Sequence, residues 1–330
     1  MDAVVFEWLR DPPYTRPKKR LKPLIMLLTL IGPVSYTQAR RTVFAAFETA
    51  MKGELGHIWM RDRCVRRTIR IYGENDQRTT QWHTKRGEMI TGSEVHKVFA
   101  GGEARRSLIV GKLEKPQSSG PAAGALVWGT RFEPIAKGIF EEETNCSIVD
   151  VSCVQHPVYS FLGASPDGII FPKDDNIRRR GRLVEFKCPI SRPETAGIPE
   201  DYVHQMQMQM ECTGIDECEY VEFRFKKVFS SEWVRSTVMK GVFAVFDDDT
   251  VKYKPQMAEF DTWRAEIESK DPQYVFWILA STKKAFLPKD PNWLPTHLPA
   301  LQAAWDEVLL HRAAGTLPPP PPSKVMTLDI

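Results

Sequence analysis

The stretch Ser160–Pro189, SFLGASPDGIIFPKDDNIRRRGRLVEFKCP, organises the reading of this chain. It consists of two extended runs joined by a polar loop. The first passes through Ser165-Pro166-Asp167-Gly168 into Ile169-Ile170-Phe171, and the second is Arg182-Leu183-Val184-Glu185-Phe186-Lys187-Cys188. Strand side chains alternate between faces, so Glu185 and Lys187 point one way and Val184 and Phe186 the other. If the runs pair as a hairpin, Asp167 approaches Glu185 across the ladder, and two carboxylates and an ammonium converge at a sheet edge. Close carboxylates repel, and one takes up a proton unless positive charge lies between them. A divalent cation that prefers oxygen relieves this, and Mg²⁺ does so while keeping waters and staying open to a phosphate. The lysine can orient or deprotonate a water, which is the chemistry of metal-assisted phosphodiester hydrolysis. The ordinary reading stands beside it: Ser-Pro-Asp-Gly is a favourable turn by itself, and Glu-x-Lys is common strand decoration.

A chain of 330 residues, 42% hydrophobic and 26% charged, has the composition of a soluble globular protein with one large or two modest domains. Its net charge of +3 is unevenly spread. Residues 1–120 carry 22 Lys and Arg against 12 Asp and Glu, and residues 121–330 carry 23 against 30. A basic region beside a carboxylate-bearing one suits a polyanion held against metal ligands, and equally an unrelated surface bias. Cys64, Cys146, Cys153, Cys188, Cys212 and Cys218 include no CxxC pair and no zinc or iron–sulfur spacing. Free thiols in a reducing, intracellular compartment are expected. The apolar run Leu24–Leu28, extended to Gly32, is too short to span a membrane. Lys18-Lys19-Arg20 before it imitates a signal peptide, but upstream acidic residues, Pro33 and the lack of a small-x-small site argue against secretion.

Outward from the central stretch, residues 1–23 read as an irregular basic arm and Leu24–Ile31 as a buried strand or the start of a helix. Ser35-Tyr36-Thr37-Gln38 has capping-box spacing, opening a helix with Phe44, Phe47 and Met51 inward. Arg61–Tyr72, RDRCVRRTIRIY, is basic and helical, with either a solvated or a phosphate-facing side. Thr91-Gly92-Ser93 precede a short helix, Glu94–Phe99, closed by Gly101-Gly102. Free N–H groups and a hydroxyl at a helix start form an anion site, and Arg86 upstream can fork onto the same phosphate. An ordinary Ser cap and a surface Arg would look the same. Residues 101–124 read as a connector. Leu126–Thr144 reads as a helix with Phe132, Ile135, Ala136 and Ile139 inward. Glu133 beside that stripe is a candidate third carboxylate or an exposed helical Glu, and Pro134 implies a kink or a late start. In Asp201–Gly214, DYVHQMQMQMECTG, the Gln/Met alternation favours a strand, while Asp201 as N-cap and Gly214 past the end favour a helix with Gln205 and Gln209 on one face. Tyr220–Val228 and Trp233–Val238 read as strands. Lys252–Asp271, Gln273–Ala285 and Trp305–His311 read as helices, and Pro318–Pro322 as a polyproline tail.

The ordered signals resemble the lambda-exonuclease-like (YqaJ viral recombinase) branch of the PD-(D/E)XK nucleases. The matching pieces are Trp82-His83…Arg86…Ile90-Thr91-Gly92-Ser93-Glu94-Val95-His96, Trp128-Gly129…Phe132-Glu133, Ser165-Pro166-Asp167-Gly168, Glu185-Phe186-Lys187-Cys188-Pro189 and Tyr202…Gln205-Met206-Gln207. They cover about residues 77–225, and the viral members look closest because of the long N-terminal arm and Trp-rich C-terminal part. The resemblance implies an α/β (α+β) fold: a PD-(D/E)XK restriction-endonuclease-like core with a mixed β-sheet flanked by helices. It also implies a helix for 201–214. The domains expected are a basic helical extension (1–76), the exonuclease core (77–230), a strand and helical part packed on it (231–315) and a Pro-rich tail (316–330). Asp167, Glu185, Glu133 and the Phe186 backbone carbonyl would hold two Mg²⁺ ions, with Mn²⁺ as substitute. Lys187 would activate the water, Gln205 would place the water or scissile phosphate, and Arg86 and Ser93 would hold the terminal 5′-phosphate. The implied activity is 5′→3′ degradation of double-stranded DNA from its ends, in recombination, repair or replication. The implied partners are double-stranded DNA ends and a single-strand annealing protein, in the cytoplasm or nucleus of a host cell. An endonuclease of the same fold and an inactive DNA-end-binding protein are the alternatives. The trimer known in the family does not carry over, because its contacts are not motif residues. Pro134 directly after Glu133 departs from the pattern, and Val154–Val158 lacks the acidic residue some relatives carry.

Overall fold

The computed structural model describes residues 17–73, 77–114, 124–174, 176, 178–194, 196–268 and 271–320. In chain order the helices α1 (Pro17–Ile31), α2 (Tyr36–Lys52), α3 (Glu54–Tyr72) and α4 (Thr80–Gly87) come first. Strand β1 (Ile90–Thr91) leads through a 3₁₀ turn, Gly92–Glu94, into α5 (Val95–Ala100), α6 (Gly102–Leu113) and α7 (Gly124–Glu143). Strands β2 (Cys146–Val149), β3 (Val154–Gln155), β4 (Leu162–Ala164), β5 (Gly168–Pro172) and β6 (Leu183–Lys187) follow. Next are α8 (Glu200–Thr213), β7 (Glu217–Val228), α9 (Ser230–Arg235), β8 (Lys240–Val245), β9 (Val251–Tyr253), α10 (Phe260–Ile267), β10 (Gln273–Pro288) and α11 (Trp293–Ala314).

The main sheet has the strand order β2-β5-β6-β7-β10-β8-β9, and β1-β4-β3 form a small second sheet. The expected hairpin is present: β5 and β6 run antiparallel with Gly168 opposite Val184 and Ile169 opposite Leu183. This register sets Asp167 beside Glu185. Gly168 is required there, because a Cβ would lie 2.2 Å from the Ile148 side chain on β2. The β6–β7 pair is parallel, which demands a crossover, and α8 supplies it. The result is the mixed α/β sheet flanked by helices that the sequence implied.

Period-two alternation sends the strand residues to two cores. Ile170, Val184, Phe186, Val221 and Phe223 pack against Phe132, Ala136, Ile139 and Phe140 of α7. Ile169, Leu183, Cys218 and Tyr220 pack against Met206, Met208 and Met210 of α8 and against α11. The helix reading of 201–214 therefore holds, although Pro199 occupies the cap position and Asp201 lies in the first turn. Gly214 closes the helix at a φ of 74°, a conformation open to Gly without Cβ strain. At the N-terminal end, Leu21, Leu24, Val43, Phe47 and Trp59 form a separate small core among α1–α3. The Ser35–Gln38 capping box is formed.

Several elements depart from expectation. Residues 17–23 are helical, continuous with Leu24–Ile31 in α1, while residues 1–16 of the arm lie outside the described residues. Gly102–Leu113, read as connector, is α6. It carries Leu108 and Ile109 into the core, whereas 115–123 lie outside the described residues. The helix through Pro134 begins at Gly124, so it does not start late. Trp233–Val238 is not a strand: Ser230–Arg235 is a helix and the strand begins at Lys240. Lys252–Asp271 splits into β9 and α10. Gln273–Ala285 is β10, not a helix. There Val275 and Trp277 enter one core while Tyr274 and Phe276 enter another, an alternation that only an extended chain provides. Because β10 lies between β7 and β8, the sheet runs without a break from the 77–230 segment into 231–315. The Trp305–His311 helix lies within the longer α11. Pro321 and Pro322 of the tail lie outside the described residues.

Phe132 anchors α7 to the sheet. It is fully buried and stacks on Phe225 at 4.5 Å, with Phe243 and Trp277 edge-on at 5.4 and 6.1 Å. Phe132→Ala is expected to lower stability by about 3–5 kcal/mol, read as a shift in the urea midpoint. A loss below about 1 kcal/mol, outside the range for emptied aromatic sites, would show that this cluster does not hold the helix.

Candidate active site

The floor of the site is Glu185, fully buried on β6. Its carboxylate takes three protein donors: Gln205 and Gln209 Nε2 each donate to it at 2.6 Å, one to each oxygen, and Lys187 Nζ donates to the oxygen that Gln205 contacts. Gln205 and Gln209 reach it from one face of α8, at the i,i+4 spacing of helical neighbours. Gln205 Oε1 also accepts from Lys187 Nζ at 3.2 Å, and the ammonium sits 4.5 Å from the Tyr202 ring centroid. Asp167 Oδ2 accepts the Phe186 backbone N–H at 2.7 Å, which ties the turn to β6. Burial, with the charges of Glu185 and Glu133, pushes the Asp167 carboxyl well above its usual range. Burial opposes the charge on Lys187, but Glu185 and Asp167 outweigh it and raise the ammonium. Lys187 is thus a cation held between carboxylates.

Glu133 sits on α7 at the rim, where its carboxylate accepts Arg78 Nη2 at 2.6 Å. Among the described residues no three His, Cys, Asp or Glu side chains converge as a ready metal cluster. Asp167 and Glu185 are the close pair, and Glu133 is engaged by Arg78. The donor set fits a hard cation all the same: it is all oxygen, carries excess negative charge and lines an open cleft. Cys188 turns to the opposite core.

The second half of the site is a corner built around Arg86. Its guanidinium lies 4.3 Å from the Trp82 ring centroid. Nη2 donates at 3.0 Å to both Thr91 Oγ1 and Ser93 Oγ, and Nη1 to Ser165 Oγ at 3.4 Å. Trp82 Nε1 donates to the same Ser165 hydroxyl at 3.2 Å. Ser165 stands two residues before Asp167, so the corner and the carboxylates share one turn. The cap at Gly92–Glu94 belongs to Thr91 and Glu94, a capping box, and not to Ser93, which stays exposed. Gly92 packs against α8, where a Cβ would lie 3.1 Å from the Gln205 carbonyl.

Beneath this corner is an ion pair outside the predicted set. Lys112 of α6, 7% exposed, donates to Glu94 at 2.8 Å and to the Arg86 carbonyl at 2.9 Å. Glu94 in turn accepts Thr91 N and Oγ1 at 2.9 and 2.6 Å. Burial opposes the Glu94 charge, but the Lys112 ammonium and the Lys112 and Thr91 hydrogen bonds hold its carboxyl below the usual range. Burial pulls Lys112 down. Arg86, Ser93, Glu133, Asp167, Glu185, Lys187 and Gln205 all line one cleft of about 520 Å³. Gln209 was legible as a helical neighbour of Gln205. Ser165 stood inside the turn motif, and Lys112 was hidden by the Gly-rich composition around it.

Residues 81–216 match the model of the YqaJ-like viral recombinase domain. An uncharacterized protein of Acanthamoeba polyphaga mimivirus is 25% identical over 192 residues, which are 53% of this chain and 35% of that protein. The chain thus spans about a third of that relative's length. Among solved structures, an alkaline exonuclease from Laribacter hongkongensis aligns with a TM-score of 0.45 at 19% identity, covering 72% of this chain and 95% of the other. A phage-related exonuclease from Haemophilus somnus 129PT aligns at 0.43 with 11% identity, covering 69% and 96%. The matched segment holds every residue lining the cleft except Gln77 and Arg78. All six cysteines are free, and among the described residues no helix is long and apolar enough to cross a membrane.

Removing the Lys112 ammonium leaves a half-buried carboxylate without its cation. Lys112→Met is expected to lower stability by about 1.5–3 kcal/mol, and Glu94→Gln in the same chain to recover part of the loss, both read by urea denaturation. Because the folded Glu94 carboxyl lies below its ordinary 4.5, the pair's contribution is complete above that pH and fades as pH falls through the folded value. A parent and a Lys112→Met/Glu94→Gln variant whose stabilities fall in parallel over that acid range would contradict the assignment.

Proposed function

We propose that this chain is a Mg²⁺-dependent exodeoxyribonuclease that degrades double-stranded DNA from its ends, 5′→3′, in viral-type recombination, repair or replication. The observation that carries this reading is the junction at Ser165. A corner suited to a terminal phosphate and a carboxylate centre suited to a hard cation share one turn and one cleft. Asp167, Glu185, the Phe186 carbonyl and Glu133 would hold the cation. When bound, it would make hydroxide available from water at neutral pH and offset charge on the phosphate.

The chain's own residues would do the rest. Arg86 presents a planar fork suited to two phosphate oxygens, and the Ser93 hydroxyl adds a donor. Stacking on Trp82 fixes the plane of that fork. Gln205 bridges Glu185 and Lys187, so it can hold a water in line with a phosphate that enters the cleft. Lys187, kept charged by the carboxylates, would stabilise the negative charge that develops on the phosphate and the leaving oxygen. It could accept a proton only once its own carboxylate contacts are relieved.

Linear duplex labelled at either end, with and without Mg²⁺, tests the activity and its polarity. Release of label from the 5′ end first, only with Mg²⁺, is expected, together with inertness of a closed circle. Rapid cutting of the circle would make the enzyme an endonuclease, and no cutting of any duplex would leave an end-binding protein. Glu185→Gln or Lys187→Ala is expected to reduce the rate by about 10²-fold or more. Full activity in either variant would remove that residue from the site.

Arg86→Ala is expected to cost about 10-fold or more of the preference for 5′-phosphorylated over 5′-hydroxyl ends, as for a lost charge-assisted hydrogen bond. An unchanged preference ratio would refute the end-binding role.

A further inference from the structure

Helix α3 lies outside the matched segment 81–216, and its two sides differ sharply. Val65, Ile69 and Tyr72 face the core that holds Met206 and Met208 of α8. Arg61, 3% exposed, is turned inward onto Asp216 at 2.7 Å and Glu217 at 2.5 Å. These contacts fix the helix rigidly in place. The opposite side carries Arg63, Arg66, Arg67 and Arg70, all exposed, at the i, i+3, i+4, i+7 spacing of one helical face.

The only carboxylate between Arg61 and Tyr72 is Asp62. It is 8% exposed and paired with Arg66 at 2.5 Å. Among the described residues Arg63, Arg67 and Arg70 have no ion-pair partner. The four arginines and Met60 line an open groove of about 920 Å³ along the helix. The stripe also leads toward the cleft. Tyr72, at the end of α3, accepts Ser152 N–H with its carbonyl at 2.7 Å. Its ring lies 4.6 Å from the ammonium of Lys85, and Lys85 is the neighbour of Arg86 on α4.

We propose that the arginine face of α3 grips the phosphate backbone of the duplex flanking the end held at Arg86, extending the DNA track beyond the matched segment. This rests on the DNA-end reading above. A rigid row of four guanidinium groups, of which only Arg66 has an ion-pair partner among the described residues, complements the regular negative charge of a duplex. Binding would release condensed counterions, so it would show as salt dependence. Since the grip is on phosphates, it would be indifferent to sequence.

The test is equilibrium binding of the full chain, without divalent cation, to 5′-phosphorylated duplexes of about 8 and about 30 base pairs across a salt series. The parent is compared with Arg63→Gln/Arg66→Gln/Arg67→Gln/Arg70→Gln and with the corresponding all-Lys variant. The Gln variant is expected to bind the long duplex about 10-fold or more weaker, with its log–log salt slope shallower by about 3. Binding of the short duplex should be unchanged, and the Lys variant should restore the slope. Equal binding of the long duplex by parent and Gln variant would overturn the inference and leave the nuclease reading intact. An equal loss on the short duplex would place the arginines at the end itself. An equal loss on a single strand of the longer length would make the product strand the occupant. Either result overturns the assignment to flanking duplex. A parent that binds neither duplex would overturn the end-nuclease reading together with this inference.

Discussion

A fully buried carboxylate at the middle of the main sheet constrains everything around it. Glu185 cannot be left unpaired there, because a buried charge without partners is among the most costly features a fold can hold. Its two oxygens are met by Gln205, Gln209 and Lys187. Two of those three come from α8, so that helix must cross β6 at a fixed height and rotation. The crossover helix that lets β6 and β7 run parallel is therefore also the helix that satisfies the charge. Met206, Met208 and Met210, all fully buried, pack around the same helix and help hold its rotation. Packing and polar satisfaction select the same placement of α8, and neither alone would fix it.

The same arrangement leaves the centre electrostatically incomplete. Asp167, Glu185 and Glu133 share the cleft with the ammonium of Lys187, and Arg78 takes up Glu133. Burial first, and then the charges of Glu185 and Glu133, raise the Asp167 carboxyl. The Arg86 corner is built in the opposite sense. Its hydroxyl partners, Thr91, Ser93 and Ser165, do not neutralise the guanidinium, and the nearby Glu94 is claimed by Lys112. One end of the cleft thus lacks positive charge and the other lacks negative charge. On the proposed reading, a phosphate ester approached by a cation would supply what each end lacks.

What could be read from the sequence was what local chemistry enforces. The hairpin register followed from Ser165-Pro166-Asp167-Gly168 and the alternation around Glu185, because a slip of one residue would bury Lys187 in the apolar core. The capping box at Ser35 and the closing Gly214 were equally local. The failures came where tertiary context overrode composition. Gly101-Gly102 opens α6 instead of a loop, since Leu108 and Ile109 have a core to enter. Pro134 is carried inside a helix clamped to the sheet by Phe132 and Phe140. The segment Gln273–Ala285 contains good helix formers, but its aromatic and branched residues must serve two different cores at once. The candidate site residues were found as individual motif positions. Their supports, Ser165, Gln209 and Lys112, act through partners distant in sequence, and no local pattern announces such partners.

The extent of the segment that matches the family raises a structural point of its own. The matched segment ends at residue 216, one position before β7 begins. Yet β7 is the strand that pairs with β6 along its whole length, Leu183 to Lys187. Without β7 the strand carrying Glu185 would be a sheet edge, with unpaired backbone groups beside a buried carboxylate. β7 in turn is covered by β10 along its length, and α11 packs Leu301, Ala304 and Trp305 into the core that holds Met206 and Met208. On the other flank, Arg61 of α3 pairs with Asp216 and Glu217 at the very start of β7. The motif-bearing segment therefore lacks the strand and helix that keep its central carboxylate buried. The unit that holds the site is the whole sheet with its flanking helices, and residues on both sides of 81–216 belong to it physically even though they carry none of the motifs.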